Sequence, residues 1–201
     1  MHICIEGPNG AGKTTIVKEL REKGFSTLSS PNGTDLAKYI RSACRGADQW
    51  DDLSDMVKFL LFSAARCDEF DKLIKDQNTT VICDRWHLST WVYQCQLGNI
   101  PVELYEMTIH PDEHIDLVII LTGDPDTLIN RVEAERSKNP NHGKCTWTKE
   151  RETMIRIGEI YVKELPQYLK GKGISFRIVN TTDKTLQQVR QEVEAIIKNL
   201  S

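Results

Sequence analysis

Eight residues near the amino terminus constrain this chain more than any other feature. Gly7-Pro8-Asn9-Gly10-Ala11-Gly12-Lys13-Thr14 satisfies the pattern GxxxxGK[ST] and follows directly on a short apolar run at residues 3–6. Glycines at 7, 10 and 12 let the backbone curl until successive N–H groups converge, an arrangement that suits phosphate oxygens. The helix expected over residues 14–21 adds the positive end of its dipole. The Lys13 ammonium neutralises charge on the β- and γ-phosphates, and the Thr14 hydroxyl is placed to ligate Mg²⁺. Strand before and helix after is the setting in which such a string cradles a nucleoside triphosphate. Gly7, Asn9, Gly10, Ala11, Gly12, Lys13, Thr14 and Thr15 are therefore the residues expected around a nucleoside triphosphate.

The rest of the chain repeats that alternation. Short apolar or β-branched runs at residues 3–6, 26–29, 80–83, 115–122 and 175–179 are bounded by Gly, Pro, Asn or Asp, which reads as five strands. Helical stripes lie between them. Leu53, Met56, Val57, Leu60, Leu61 and Ala64 mark a long helix over about 53–77, and Leu186, Val189, Val193, Ile196, Ile197 and Leu200 mark another, with Thr181, Thr182 and Asp183 as candidate caps. Strands this apolar, alternating with helices, predict a parallel sheet covered on both faces. The expected fold class is α/β: a P-loop NTPase three-layer α/β/α arrangement, a five-stranded parallel sheet and a lid, in one domain over 1–201.

Composition removes several alternatives. No apolar run approaches the length that spans a bilayer, and no basic stretch followed by an apolar one opens the chain, so neither a membrane span nor a secretory leader is expected. The six cysteines (4, 44, 67, 83, 95, 145) form no CxxC pair, which favours reduced thiols and a cytoplasmic location over disulfides. A net charge of −3 argues against wrapping nucleic acid, which calls for a basic surface.

The subclass must come from beyond the P-loop. The string nearest to a guanine-reading Asn-Lys-x-Asp is Asn180-Thr181-Thr182-Asp183, which lacks the Lys; Asn180 sits instead where a loop touches a nucleotide base through its backbone. The third strand runs into Asp84-Arg85. An acid at the carboxyl end of a strand beside the P-loop suits Mg²⁺ or the reacting groups, and its Arg neighbour can clamp a phosphate. On the long helix, Phe62 and Arg66 stand four apart on one face, so a ring can stack on a base while a guanidinium bonds its exocyclic oxygen. Between Arg136 and Arg156 there are six basic residues and two acids, with Asn139-Pro140-Asn141-His142-Gly143 in the middle. Basic side chains on such a loop suit a lid that closes over a triphosphate.

Taken in order, these pieces resemble the thymidylate kinase family of nucleoside monophosphate kinases. The most telling stretches are residues 5–15, Leu61-Phe62-Ser63-Ala64-Ala65-Arg66 and Asp84-Arg85-Trp86-His87-Leu88-Ser89-Thr90-Trp91-Val92-Tyr93-Gln94; residues 179–183 resemble the adenine-side loop. The resemblance implies transfer of the ATP γ-phosphoryl group to dTMP, with Mg²⁺ on Thr14 and Asp84, in a homodimer packed through the 53–77 helix. It implies that Phe62 stacks on the pyrimidine, Arg66 bonds O4, Arg85 holds the acceptor phosphate, and Asp84 orders the metal and phosphates. Ser89 and Thr90 would contact the base, Tyr93 would crowd the sugar 2′ position, and Tyr161 would close over the acceptor. The lid would be residues 136–149. With Pro8, Asn9 and Ala11 at the variable P-loop positions, the catalytic Arg must come from the lid region: Arg136 first, Arg151 second.

Three departures bear on the acceptor. Asn9 stands where the family usually carries an acid facing the sugar. The loop at residues 29–34 lacks the family's phosphate-binding Arg, for which Arg41 is the substitute. Trp86 replaces a Tyr or His. These leave dUMP open as a second acceptor. The alternatives are a deoxynucleoside kinase, with Glu6 as the base that a neutral 5′-hydroxyl requires, and a non-catalytic nucleotide switch.

Overall fold

A computed structural model of the protein describes residues 1–46, 52–138 and 151–200. Five strands, β1 His2–Glu6, β2 Ser26–Ser29, β3 Val81–Asp84, β4 Leu117–Thr122 and β5 Phe176–Asn180, form one parallel sheet in the order β2-β3-β1-β4-β5. The anticipated strands are all present, with ends displaced by one or two residues. Ile5 stands opposite Asp84 on one side and Ile119 on the other. That register brings the carboxyl ends of β1, β3 and β4 to one edge of the sheet, where open parallel sheets bind ligands.

Alternation along the strands divides the core. Ile3, Ile5, Ile82, Leu117, Ile119 and Leu121 face one layer, packed against Ile16, Val17 and Leu20 of α1 (Lys13–Glu22) and against Val189, Val193 and Ile197 of the carboxyl-terminal helix. Cys4, Cys83, Val118 and Ile120 face the other layer, with Phe59, Trp86, Trp91, Tyr105, Ile160 and Tyr161. The central strands β1, β3 and β4 are thus buried on both faces, which is why they read as nearly unbroken apolar runs, whereas the edge strands β2 and β5 are partly exposed.

Among the described residues the remaining helices are α2 Asp35–Gly46, α3 Asp55–Leu73, α4 His87–Thr90, α5 Val102–Glu106, α6 Pro125–Lys138, α7 Arg151–Glu159, α8 Leu165–Gly171 and α9 Leu186–Lys198. Helix α3 is shorter than the 53–77 expectation. The Ser54 hydroxyl accepts from the Val57 N–H at its start, and it ends before Ile74. Its apolar stripe also behaves differently from a core stripe. Met56, Val57 and Leu60 are 40%, 40% and 51% exposed, while Phe59, Ser63, Ala65, Arg66, Glu69 and Phe70 are buried. Helix α9 is capped by Thr185, in a reciprocal pair with Gln188, rather than by the three residues proposed upstream: Thr181 and Thr182 are engaged with the end of β4 instead. Helices α4 and α7 each continue into a π-helical turn, Trp91–Gln96 and Ile160–Glu164. Of the lid expected at 136–149, residues 136–138 end α6 and the rest, Cys145 included, lie outside the described residues; the other five cysteines form no disulfide among the described residues.

Candidate active site

The loop between β1 and α1 is shaped by its glycines. Gly7, Gly10 and Gly12 all have positive φ (145°, 81° and 85°), a region L side chains avoid. At two of them the space is closed as well: a Cβ on Gly7 would lie 2.1 Å from the Leu121 carbonyl oxygen, and one on Gly10 2.4 Å from that of Leu128. The loop is therefore seated on β4 and α6. Gly12 opens α1 as its left-handed N-cap, and Lys13 folds back so that Nζ donates to the Pro8 carbonyl at 2.7 Å. Burial, reinforced by the neighbouring Arg85, pushes the Lys13 ammonium down to about 7 against the pull of Asp84 and Glu6. A phosphate arriving here relieves that penalty. Ala11 is buried beneath the loop, and Thr14 and Thr15 are exposed on the first turn of α1.

Across the loop, the Thr14 hydroxyl donates to Asp84 Oδ2 at 2.7 Å. A hydroxyl and a carboxylate side by side form the hard-oxygen donor set that Mg²⁺ prefers. Arg85 follows in a left-handed backbone conformation, φ 68°, strain of the kind that concentrates where a side chain must be aimed. Its Nη2 donates to Asn9 Oδ1 at 2.7 Å; its Nη1 donates to Gly7 O, Ser89 Oγ and Tyr161 Oη at 3.3, 3.1 and 3.2 Å. The Tyr93 ring lies 5.7 Å from its guanidinium carbon. Both tyrosines stand on the π-helical turns, whose extra residue re-aims a side chain. Burial opposes the Arg85 charge, but Tyr93, Tyr161, Glu6 and Asp84 outweigh it and hold the pKa above its ordinary value. Thr90 is buried one residue beyond Ser89.

Glu6 is fully buried at the end of β1. Its Oε1 accepts the Trp86 N–H at 2.8 Å, and its Oε2 accepts from Ser89 Oγ at 2.7 Å and Tyr161 Oη at 3.1 Å. A carboxylate so occupied is badly placed to take a proton from a 5′-hydroxyl.

Arg66 and Phe62 stand on the flanking helix α3. Arg66 is 3% exposed; its Nη2 donates to Thr108 O at 2.7 Å and Thr108 Oγ1 at 3.0 Å, while Nε and Nη1 have no partner among the described residues. Unpaired buried guanidinium donors are costly and mark a place for an acceptor group. Phe62, one turn earlier, is half-buried against Ala37, Ile40 and Ala65. One turn after Arg66, the buried Glu69 gathers in the 30–33 loop: Ser30 Oγ, Asn32 N and Gly33 N donate to it at 2.5, 2.8 and 2.6 Å. Arg41 reaches the same loop, with Nη1 donating to Pro31 O at 3.3 Å.

Opposite, Arg131 of α6 bridges the phosphate loop and the end of β5, donating to Gly10 O at 3.4 Å and to Thr181 Oγ1 and O at 3.0 and 2.9 Å. Asn180 is exposed beside it, with Oδ1 accepting the Thr182 N–H. The two lid-region arginines are less central. Arg136 is half-buried in the last turn of α6. Arg151 is exposed and pairs with Asp126 at the start of α6.

The structure thus brings Lys13, Thr14, Asp84, Arg85, Asn9, Ser89, Tyr93 and Tyr161 together, with Arg66 and Phe62 on the flanking helix. Residues 5–193 match the family model described as "Thymidylate kinase". The chain belongs to the thymidylate kinase family. A probable thymidylate kinase of Methanosphaera stadtmanae is 32% identical, over 66% of this chain and 72% of the relative. One from Methanocaldococcus jannaschii is 29% identical over all of this chain and 97% of the relative. The thymidylate kinase crystal structure from Ehrlichia chaffeensis superposes with a TM-score of 0.71 at 22% identity, covering 98% of each chain; that likeness carries the fold. From sequence, Glu6 is named only as the base of the deoxynucleoside kinase alternative, and Glu69 and Arg131 are missed as elements of this site. Each is a charged residue whose helix or strand pattern gives no sign that it points inward.

Proposed function

We propose that ATP and dTMP meet end to end over the carboxyl edge of the sheet, the donor on the glycine loop and the acceptor between Arg85 and α3. As a thymidylate kinase family member, the protein is a nucleoside monophosphate kinase that transfers the ATP γ-phosphoryl group to dTMP. Lys13 and the loop N–H groups take the donor phosphates, and Arg131, Thr181 and Asn180 border the donor base. Thr14 and Asp84 would hold Mg²⁺, which when bound neutralises charge on the donor phosphates. Arg85, steadied by Asn9, Ser89 and Tyr161, holds the acceptor phosphate, with Arg41 supporting the adjoining loop. Phe62 stacks on the pyrimidine, Thr90 borders it, and the uncommitted donors of Arg66 take its O4. Tyr93 crowds the ribose 2′ position. Arg136 and Arg151 flank the lid and supply charge to the transferring group from that side.

The acceptor is already an anionic phosphate, so positioning and electrostatics carry the transfer without a strong base. The observation that carries this reading is Arg66, buried with two nitrogens unpartnered among the described residues: an arrangement suited to a base bearing an exocyclic oxygen. The structure also favours a phosphate acceptor over a neutral hydroxyl, because Glu6 is fully engaged by three donors. The exposed apolar side chains of α3, with Leu36 and Tyr39 on neighbouring α2, are the face through which two copies pair.

A coupled assay of ADP release across dTMP, dUMP, dCMP, dGMP, UMP and thymidine tests the reading. dTMP is expected to turn over best, dUMP more slowly, and thymidine not at all; thymidine turnover exceeding that of dTMP would overturn it.

A further inference from the structure

Glu6 touches neither nucleotide in this arrangement, yet it is linked to Arg85 by every route the local structure offers. The Ile5 carbonyl accepts the Arg85 N–H at 3.0 Å, and Glu6 Oε1 accepts the next N–H, that of Trp86, at 2.8 Å. Those two bonds bracket the residue whose φ is 68° and hold it in the left-handed region. On the side-chain side, Ser89 Oγ and Tyr161 Oη each lie between Glu6 Oε2 (2.7 and 3.1 Å) and Arg85 Nη1 (3.1 and 3.2 Å).

The proton inventory makes this arrangement directional. An ionised carboxylate only accepts and a guanidinium only donates. Each hydroxyl has one hydrogen, and with Glu6 ionised both hydrogens are drawn to Oε2. That leaves both oxygens free to accept from Arg85. We infer that Glu6 is the positioning residue for the acceptor-phosphate arginine: its carboxylate fixes the Arg85 backbone through Trp86 and orders the Ser89 and Tyr161 hydroxyls so that the guanidinium faces the acceptor. Among the described residues this leaves the Nε hydrogen and one Nη2 hydrogen of Arg85 for the incoming phosphate. The inference rests on the reading of Arg85 as the acceptor-phosphate ligand.

Glu6→Gln keeps the shape and reverses one end of the pattern. If the amide oxygen still accepts from Trp86, the NH₂ group faces two hydroxyls that already accept from Arg85 and otherwise reach only each other, at 3.3 Å, so they cannot both be satisfied as they are by the carboxylate. The KM for dTMP should rise about tenfold or more, the scale of a hydrogen bond to a charged group, while the KM for ATP stays within about twofold. Ser89→Ala combined with Tyr161→Phe, which keeps the carboxylate and its bond to Trp86, should reproduce a comparable loss on the acceptor side. Adding Glu6→Gln to that pair should then cost less than about threefold more, because the hydroxyls it disorders are gone. The paired variant decides the matter if Glu6→Gln does not accumulate as folded protein. An unchanged dTMP KM, equal losses for both substrates, or full additivity of the three substitutions would overturn the inference. Wild-type protein without dTMP-dependent ADP release would instead remove the underlying reading of the site.

Discussion

The side chains of Thr14 and Asp84, 70 positions apart in sequence, share a 2.7 Å hydrogen bond. One lies in the first turn of α1, the other ends β3, and the pairing of β1 with β3 together with the bend of the glycine loop brings them together. Asp84→Asn removes the charge while keeping the shape. The Mg²⁺ concentration for half-maximal activity should rise about tenfold or more, the scale of losing one charged ligand, with little change in melting temperature. A magnesium titration of turnover checks it; an unchanged requirement would detach Asp84 from the metal.

Lys13→Ala should lower kcat by roughly three orders of magnitude, because on the proposed reading the lysine neutralises charge that builds during transfer. Its ammonium is already disfavoured by burial, so the folded protein loses no stability with it. Steady-state turnover beside a thermal melt separates the two effects.

Arg66→Ala should raise the dTMP KM by roughly 10- to 100-fold, the worth of a charge-assisted hydrogen bond, and leave the ATP KM nearly unchanged. Equal losses for the two substrates would reject its role in reading the base.

Among the loop glycines the costs should separate by surroundings. Gly7→Ala and Gly10→Ala drive a methyl group into backbone oxygens at 2.1 and 2.4 Å, so melting temperature should fall on the order of 5–10 °C and ATP binding should fail. Gly12→Ala meets nothing within 4 Å and carries only left-handed strain, about 1 kcal/mol. Calorimetric melts of the three variants give the order directly.

Acid should destabilise the fold through its buried histidines. Burial is the main cause for both: His2 is pushed down to about 4, opposed by the His114 carbonyl and Asp116, and His87 is held well below its ordinary value, with Arg66 and His2 adding to the effect. Between pH 6.5 and about 4 the unfolded chain binds a proton at His2 that the folded chain refuses. Stability therefore falls as pH falls, by up to about 1.4 kcal/mol per unit for each histidine. Urea midpoints at about pH 7 and about pH 5, compared between wild type and His2→Phe, should show a shallower dependence in the variant.

Much of this was legible in the sequence because it rests on local pattern. Five apolar runs gave five strands, and the spacing of Gly7, Gly10, Gly12 and Lys13 gave the phosphate loop. The unread parts depend on what stands opposite. Periodicity showed that Met56, Val57 and Leu60 share a face of α3 but not that the core lies against Phe59, Ser63 and Phe70 instead. Glu69 reads as an ordinary helix-surface acid until the 30–33 loop is seen folding over it. Tyr93 and Tyr161 sit on π-helical turns, where the added residue breaks the 3.6-residue rhythm. Arg131 lies on a helix of mixed polarity, and only the tertiary fold sets it above Gly10.

Helix α3 has one more consequence. Arg66 and Glu69 are three residues apart on it, so their offset along the axis is the rise of those residues, about 4.5 Å. On the proposed reading the first meets the base, while the second holds the 30–33 loop. The spacing between these two supports is thus gauged by the pitch of a single rigid rod. On that reading an acceptor of different length would have to shift the rod itself, which would make the helix a calliper against which nucleotides are measured.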